Sequence, residues 1–407
     1  MDDSALAPAL TGALAQEIAG DTSEIIGYNV LITDRDGIVI GSGDRSRVGS
    51  FHEASVDVVR TVRAATHDAA QARALRGVRP GITLPIVLNE TALGTVGITG
   101  SPAQVRRFGL VVRRQTEILL RESVVLRSRL LRERALEDLV RDVAYFDADV
   151  VDPELIAYRA AELGYDLGVP RVAVVVDLLA PPGDREPADS GAAGNGRPTA
   201  RLALLQTLRA TFTPARDVVA AMPSDRFVAL HRVAQADADR SLEAVRALCR
   251  KAVGEISRRH GVAAAVGIGD AAATVVGLHD SYQDASAAVR LGTRVHPVPD
   301  VTTIDDVRVH QLLTSVGHRP RARLVEALTS DLRTEPDWPT IRRTVIVWCE
   351  SGFNLVQAAA ALHIHRNTLV YRLGKIARVT GRPVRDHRAT LALYVACLTD
   401  QLHDGEG

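Results

Sequence analysis

The sequence predicts a multidomain α+β protein, with a small α/β domain, a long connecting helix, a second α/β domain and an all-α C-terminal domain. The first observation is length, because 407 residues exceed one ordinary domain. The second is that short β-rich runs alternate with helical stretches in the first and middle parts of the chain. The third is a pair of short amphipathic stretches near the C-terminus. We expect domains at 1–143, 153–310 and 320–407.

The composition is that of a globular protein without a net charge. Hydrophobic residues make up 46% and charged residues 24%, which is enough apolar material for cores. The 49 basic and 49 acidic side chains cancel, so a surface for nucleic acid would have to be local. Cys249, Cys349 and Cys397 are far apart and lack C-x-x-C spacing, which indicates neither a disulfide framework nor a zinc site. We expect no metal and no cofactor.

The start of the chain and its hydropathy indicate a cytoplasmic protein. Met1, Asp2 and Asp3 stand where a signal peptide needs basic residues. No uninterrupted apolar run reaches the roughly 18 residues of a membrane span. We therefore expect neither export nor a membrane partner.

The first domain is predicted as helix, hairpin, helix and second hairpin. Residues 4–20 have helical composition, and 25–43 predict two strands around the turn DRDG, in which Asp-Gly supplies a positive φ. A helix is expected from about Phe51 to Ala65. Residues 77–100 predict two further strands around the turn NET. Strands that flank a helix and two polar loops are typical of a small sensor domain.

The first polar loop, GSGDRSRVGSFHEA at 41–54, raises the question of a phosphate site. It fits the pattern G-x-G-x-x-G poorly, because Ser46 stands where the last glycine belongs, and no Gly-Lys-Ser/Thr follows. We therefore do not expect a nucleotide to bind this loop.

The longest predicted element is a helix from Pro102 to about Val143. No further proline interrupts it, and leucine, isoleucine and valine residues supply an apolar stripe. At 1.5 Å per residue, a helix of about 40 residues would span about 60 Å, more than one small domain covers. Pairing with a second copy, in a homodimer or a higher homo-oligomer, is the expected way to bury the stripe. The alternative is two ordinary helices with a break near Arg132.

The middle domain alternates strands with helices. Strands are expected at 171–179, 217–223, 226–233 and 262–270. Helices are expected at 200–210, at 236–259 and from the end of the last strand to Gly292. This order predicts a single sheet with helices on one face. The segment 181–199 is rich in proline, glycine and small polar residues, so we expect it to be disordered.

The hairpin PSDRF at 223–227 gives the middle domain a resemblance to nucleotide cyclase domains. It stands where a diguanylate cyclase carries Gly-Gly-Asp-Glu-Phe. Asp225 and Phe227 keep that pattern, whereas Pro223, Ser224 and Arg226 replace both glycines and the metal-supporting acid. The resemblance implies a degenerate cyclase-like domain without catalysis. The alternative is a signalling enzyme or nucleotide-binding protein that uses this domain.

The C-terminal stretch 353–381 predicts a helix-turn-helix, because apolar residues recur at helical spacing on both sides of a turn at 363–365. The second helix carries a polar face suited to phosphates and base edges in a major groove. The candidate DNA-binding residues are His365, Arg366, Asn367, Thr368, Tyr371, Arg372 and Lys375. The alternative is an ordinary surface helix, with Asn367 or Thr368 as its cap. No acid or thiol accompanies the two histidines of the turn, so a metal is not expected there.

Two stretches carry a specific family resemblance. The run A-A-x-x-L-x-x-H-R-N-T-L-x-Y-R-L-x-x-I, present from Ala358 to Ile376, resembles the helix-turn-helix of regulators of the purine-catabolism type. The loop at 41–54, taken with GVRPGITLPI at 77–86, resembles the sugar diacid recognition domain that heads the carbohydrate diacid regulator family. The resemblance implies a transcriptional regulator, usually an activator, that controls genes for uptake and catabolism of galactarate, glucarate or glycerate. Its partners would be operator DNA and a small hydroxy acid.

The resemblance also suggests a use for the two polar loops. A hydroxy acid needs a cation in fork geometry, backbone amides and a few side-chain donors. The candidate ligand-binding residues are Ser42, Asp44, Arg47, His52, Gly77, Val78, Gly81, Ile82 and Thr83. Thr83 departs from the family pattern, which favours asparagine. The alternative for Asp44 and Arg45 is a solvent-facing turn. If the charged form of His52 is the donor, binding should strengthen as the pH falls through the ordinary imidazole pKa near 6.5.

Overall fold

The computed structural model describes residues 10–179, 197–213, 215–234, 238–295, 301–384 and 386–403. It divides into two compact units, Met1–Arg132 and Glu133–Gly407. The helix expected at 4–20 begins later, at Gly12, and its first residues lie outside the described ranges. The expected disordered insert at 181–199 also lies outside the described ranges, apart from its last three residues, which begin a helix at Arg197.

The first unit is built on a five-stranded antiparallel sheet of order β2-β1-β5-β4-β3. Its elements are α1 (Gly12–Ile26), β1 (Val30–Thr33), β2 (Val39–Ser42), a 3-10 helix (Arg45–Arg47), α2 (Glu53–Thr61), β3 (Ala65–His67), α3 (Ala69–Arg73), β4 (Gly81–Leu88) and β5 (Thr91–Thr99). Both predicted hairpins are present. Gly37 has φ 79° in the first turn, and Asn89 and Glu90 have φ 47° and 66° in the second.

A single helix, α4 (Pro102–Ala144), follows the first sheet, so the expected long helix is confirmed and the break near Arg132 is absent. Val105, Val112 and Leu120 bury one side of α4 in the core of the first unit. Gly109 allows this close packing, because a Cβ there would lie 2.8 Å from Leu84 Cδ1. A second side of the helix leaves apolar residues exposed.

The second unit contains a sheet of order β10-β9-β6-β8-β7, in which β9 and β10 pair parallel and the other neighbours pair antiparallel. Its elements are α5 (Pro153–Glu162), β6 (Arg171–Leu179), α6 (Arg197–Thr211), β7 (Val218–Met222), β8 (Arg226–Arg232), α7 (Ala238–His260), β9 (Ala263–Ala272), α8 (Val275–Val295) and β10 (Val301–Thr303).

Helices cover both faces of this sheet, so the expectation of helices on one face is wrong. Ala173 and Val175 of β6 pack with α5 and α8, whereas Val172, Val174 and Val176 pack with α6 and α7. The physical reason is visible in β6 itself, since its apolar run supplies buried side chains alternately to both faces.

The C-terminal part of the second unit is all helical. It comprises α9 (Ile304–Ser315), α10 (His318–Arg333), α11 (Trp338–Glu350), α12 (Leu355–Ala361), α13 (Arg366–Thr380) and α14 (His387–His403). Ala358 and Ala359 of α12 share a buried core with Leu369, Leu373 and Ile376 of α13, as the helix-turn-helix pattern predicted. Within the described ranges, no helix is both long and apolar enough to cross a membrane.

Candidate functional sites

A small cleft in the first unit brings the two polar loops together. Its cavity volume is about 10 Å³, and it is lined by Leu31, Arg47, His52, Arg79, Ile82, Thr83, Gly97, Ile98 and Thr99. Four residues proposed from the sequence therefore meet at one place: Arg47, His52, Ile82 and Thr83. The remaining five lining residues were not singled out by sequence reasoning.

Arg47 is held as a buried cation at this cleft. Arg47 ends the 3-10 helix that follows β2, and only 7% of its surface is exposed. Its Nη2 donates to the carbonyl of Gly77 at 2.5 Å, which ties the first polar loop to the second. Its Nη1 is buried and makes no hydrogen bond within the described part of the chain. Burial lowers the pKa of Arg47, and nearby Arg79 adds to this effect, so the site favours an anion beside it.

Arg79 supplies a second cation to the cleft. Its Nη2 lies 3.3 Å from Asp44 Oδ2, and the guanidinium is half exposed. Asp44 does not line the cleft. It caps the 3-10 helix by accepting from Ser46 N at 3.3 Å, and the hydrogen bond from the Ser46 hydroxyl lowers the pKa of Asp44, with Arg79 contributing. Asp44 therefore acts on the cleft through Arg79.

His52 is a buried imidazole at the start of α2. It is 3% exposed, and its Nδ1 lies 2.8 Å from the hydroxyl of Ser55. Burial, followed by the charges of Arg47 and His67, lowers the pKa of His52 to about 4. The imidazole of the free protein is therefore neutral at pH 6.5, and the titration expected near that pH does not occur there.

Two glycines allow the second loop to approach its neighbours. Gly77 has φ 71°, and a Cβ there would lie 1.9 Å from the carbonyl oxygen of Phe51. At Gly81 a Cβ would lie 2.0 Å from the carbonyl oxygen of Ile98. Both positions therefore require glycine for backbone packing. Val78, between them, is half buried and is not among the lining residues.

Ser42 is a fully buried residue in β2 that also lies off the cleft lining. Its backbone N–H donates to Gln16 Oε1 at 3.1 Å, and its carbonyl accepts from Gln16 Nε2 at 2.9 Å. Its hydroxyl is 3.4 Å from Asn29 Oδ1. These bonds join β2 to α1 and to the turn before β1, which is a structural role.

The cleft residues missed from the sequence come mostly from two interior strands of the first sheet. Leu31, Gly97, Ile98 and Thr99 belong to β1 and β5, which pair with each other, and Thr99 is also opposite Gly81. Only strand pairing brings these residues beside the loops. For Arg79 a signal was available, since it is the one basic residue between Gly77 and Gly81.

The hairpin PSDRF lies between β7 and β8, with Ser224 and Asp225 at positive φ. Arg226 forms a two-bond ion pair with Asp177 at the end of β6, with both nitrogen–oxygen distances 2.7 Å. The hydrogen bonds that Arg226 donates to Asp177 raise the pKa of Arg226 above its ordinary value. Arg226, which stands where the resemblance to diguanylate cyclases places a metal-supporting acid, is therefore a guanidinium paired with the Asp177 carboxylate.

The second helix of the helix-turn-helix presents a polar face. Arg366, Asn367 and Thr368 in its first turn are exposed, and Tyr371 is 67% exposed. His365 is the N-cap residue, because its Nδ1 accepts from Asn367 N at 3.2 Å. The cap is thus neither Asn367 nor Thr368.

Two further candidate residues on α13 already have partners. Lys375 Nζ is 2.8 Å from Glu335 and 3.0 Å from Asp337, and these bonds raise the pKa of Lys375. Arg372 Nη1 is 3.4 Å from the hydroxyl of Thr344. No group of three or more His, Cys, Asp or Glu side chains that could hold a metal is found among the described residues.

Family comparisons match three parts of the chain. Residues 10–143 match the family described as "Putative sugar diacid recognition". Residues 147–291 match the "GGDEF-like domain" and 341–399 the "PucR C-terminal helix-turn-helix domain". The resemblances inferred from the sequence are therefore confirmed in all three regions.

Similarity to whole proteins runs along nearly the entire chain. The carbohydrate diacid regulator of Escherichia coli (strain K12) is 31% identical over 395 residues, covering 95% of this chain and 97% of that protein. An uncharacterized protein of Bacillus subtilis (strain 168) is 26% identical, covering 94% and 96%. The purine catabolism regulatory protein of the same organism is 22% identical over 137 residues, covering 33% of this chain and 26% of its own length.

Proposed function

Since the chain belongs to the carbohydrate diacid regulator family, we propose that it is a transcriptional regulator that binds a small sugar acid in the cleft of its first unit. Galactarate, glucarate and glycerate are the candidate effectors. The regulated genes serve uptake and catabolism of the acid, and the protein acts in the cytoplasm as their activator.

The observation that carries this proposal is the unused donor of Arg47. A buried guanidinium nitrogen without a partner is costly, and a carboxylate oxygen in the cleft would satisfy it. Its second nitrogen is fixed on Gly77, so the group is held in place before a ligand arrives. Arg79 offers a second cation on the same cleft. Two cations favour the diacids galactarate and glucarate over glycerate, which has one carboxylate.

Neutral donors and acceptors are available for the hydroxyls of the acid. Thr83 is 3% exposed and lines the cleft together with Thr99 and His52. Hydroxyl recognition by such groups gives selectivity, because an analogue without hydroxyls leaves buried polar groups unpaired.

The output of the proposed regulator is DNA binding by α13. Arg366, Asn367, Thr368 and Tyr371 form an exposed polar face at the beginning of the helix. The first turns of a recognition helix are the part that reaches base edges in the major groove. We expect Arg372 and Lys375, which have protein partners, to contribute less to base recognition.

A homodimer supplies the second recognition helix that one protomer lacks. Val111, Ile118 and Val125 recur every seven residues on α4 and are exposed at 68%, 38% and 49%. A seven-residue apolar repeat is what two helices bury in a coiled coil. Pairing of two copies along this stripe sets the spacing of the DNA half-sites.

Ligand binding tests the proposal directly. Thermal unfolding of the full chain should be followed with galactarate, glucarate, tartrate and glycerate at equal concentration. An effector at about 100 times its dissociation constant adds roughly 2.7 kcal/mol of stability. We expect the two six-carbon diacids to raise the Tm more than glycerate does. Unchanged Tm with all four acids would contradict the proposal.

We expect no nucleotide chemistry in the middle domain, because Arg226 stands where the resemblance to diguanylate cyclases places a metal-supporting acid, and it is paired with Asp177. Incubation of the purified protein with GTP should yield no product, whereas cyclic dinucleotide formation would restore the enzyme alternative.

A further inference from the structure

A chain of buried side-chain hydroxyls leads away from His52 beneath the cleft. His52 Nδ1 is 2.8 Å from Ser55 Oγ, which is 2.7 Å from Thr95 Oγ1. Thr95 Oγ1 is in turn 2.9 Å from Thr33 Oγ1. Ser55, Thr95 and Thr33 are each 0% exposed, so solvent does not reach them. These hydroxyls join α2 to the two central strands β5 and β1.

The direction of these hydrogen bonds follows from the last member. Each hydroxyl has one proton to donate, and a buried donor without an acceptor is costly. Among the described residues, the only acceptor in reach of the Thr33 hydroxyl is Thr95 Oγ1. Thr33 therefore donates to Thr95, which donates to Ser55, which donates to His52 Nδ1. The opposite direction would leave the Thr33 proton buried and unpaired.

We infer that this hydroxyl chain holds His52 as the tautomer protonated on Nε2, so that Ser55 is a positioning residue that makes His52 a neutral donor to an oxygen of the bound acid. Nδ1 is the acceptor for Ser55, and the Nε2–H remains for the cleft. This inference rests on the proposed function, because it names the group that meets the acid.

A neutral donor suits a cleft that already holds two guanidinium groups. A third positive charge beside Arg47 and Arg79 would be repelled by both, whereas an N–H group adds a hydrogen bond without added charge. Such a donor should distinguish a hydroxylated diacid from an apolar one. Galactarate and adipate have the same chain length and two carboxylates, and they differ in the hydroxyls. His52 oriented by Ser55 should favour galactarate.

Nitrogen NMR of the full-length protein reads the tautomer without a ligand. In protein with 15N-labelled histidine at pH 7.5, the His52 signals are identified by their absence in His52→Gln. We expect the wild type to show a protonated Nε2 and an unprotonated, hydrogen-bonded Nδ1. Ser55→Ala should show a mixture of tautomers, and Thr61→Ala, which removes an exposed hydroxyl of the same helix, should match the wild type.

Calorimetry with galactarate and adipate supplies the second readout. We expect Ser55→Ala to reduce the preference for galactarate by about two- to tenfold, the range of one neutral hydrogen bond, with Thr61→Ala unchanged. A wild-type His52 protonated on Nδ1 would overturn the inference, and this holds even if Ser55→Ala does not fold. Wild-type tautomer and preference retained in Ser55→Ala would overturn the role of Ser55. If no acid binds the wild type, the proposed function fails, while the NMR result still decides the tautomer.

Discussion

Arg47 shows how one side chain can be prepared for a ligand. Its backbone is set by the 3-10 helix, one guanidinium nitrogen is fixed on Gly77, and the other is buried without a partner among the described residues. A fixed, partly unsatisfied cation loses little conformational freedom on binding. Binding of a carboxylate at this position therefore costs little conformational entropy.

Substitution of Arg47 should weaken binding of the acid strongly. Arg47→Ala removes a charge-assisted hydrogen bond worth roughly 1.5 to 3 kcal/mol, which is about tenfold to a hundredfold in affinity. Arg47→Lys should recover only part, because an ammonium group cannot reproduce the planar fork. Arg45→Ala is the matched control, since Arg45 is an exposed residue of the same loop. Calorimetry with galactarate measures all four proteins, and equal affinity in Arg47→Ala would remove the residue from the site.

His52 should make the stability of the protein depend on pH. The pKa of His52 is about 4 in the folded protein and about 6.5 in an unfolded chain, so the unfolded chain takes up the proton first. Stability from this residue is present above pH 6.5 and is lost as the pH falls towards 4. Between pH 7.5 and 5 the loss is about 2 kcal/mol. His52→Gln should lose less stability than the wild type over that range in urea unfolding, and an equal loss would show that His52 is not buried as described.

Among the elements, α13 divides into exposed and partnered residues. Arg366 lies in the exposed first turn, whereas Lys375 is bonded to Glu335 and Asp337. Helical spacing in the sequence placed both on one polar face, but it could not show that the turn between α10 and α11 brings acids to Lys375. The sequence therefore predicted the helix well and the availability of its side chains less well.

Arg366→Ala should weaken operator binding more than Lys375→Ala. A lost phosphate contact lowers the slope of log affinity against log salt by about one unit, and a lost base contact relaxes preference at one position. The probe is a duplex selected from a randomised pool by the wild-type protein, and anisotropy at several salt concentrations gives the affinity. If Lys375→Ala causes the larger loss, the ion pairs of Lys375 must open on DNA.

The same limits of sequence reasoning appear in the first sheet. Both hairpins were predictable because their turns carry residues that accept positive φ. The helix α4 was predictable because its apolar stripe continues over about 40 residues. β3 has only three residues, too few for an alternation to be recognised, and it was missed together with α3. Arg79 and Thr99 reach the cleft through loop packing and strand pairing, which depend on contacts distant in sequence.

The apolar stripe of α4 should determine the oligomeric state. Ile118→Asp places a charge in the middle of the repeat formed with Val111 and Val125, so it should convert the dimer to a monomer in sedimentation of the full chain. Arg106→Asp is the control, because Arg106 is exposed on the same helix but lies about 120° around the helix axis from Ile118. A dimer that persists in Ile118→Asp would place the interface elsewhere.

The middle domain of the second unit packs against the C-terminal helices. Leu402 of α14 is buried with Leu291 of α8 and Val307 of α9, and Gln401 Nε2 donates to the carbonyl of Val295 at 3.2 Å. The GGDEF-like domain therefore packs directly against the C-terminal helices. This packing could not be read from the sequence, because none of these residues belongs to a recognisable motif.

An acid bound in the cleft should change the affinity of the same chain for DNA. The decisive measurement is the affinity for the selected duplex with and without saturating galactarate or glucarate, in the wild type and in Arg47→Ala. Coupling between two sites is typically about 5- to 150-fold, and DNA must change the affinity for the acid by the same factor. We expect a shift of this size in the wild type, and Arg47→Ala should need about ten- to a hundredfold more acid to reach it. If the acid binds the wild type and its DNA affinity stays the same, the chain is not a regulator controlled through this cleft.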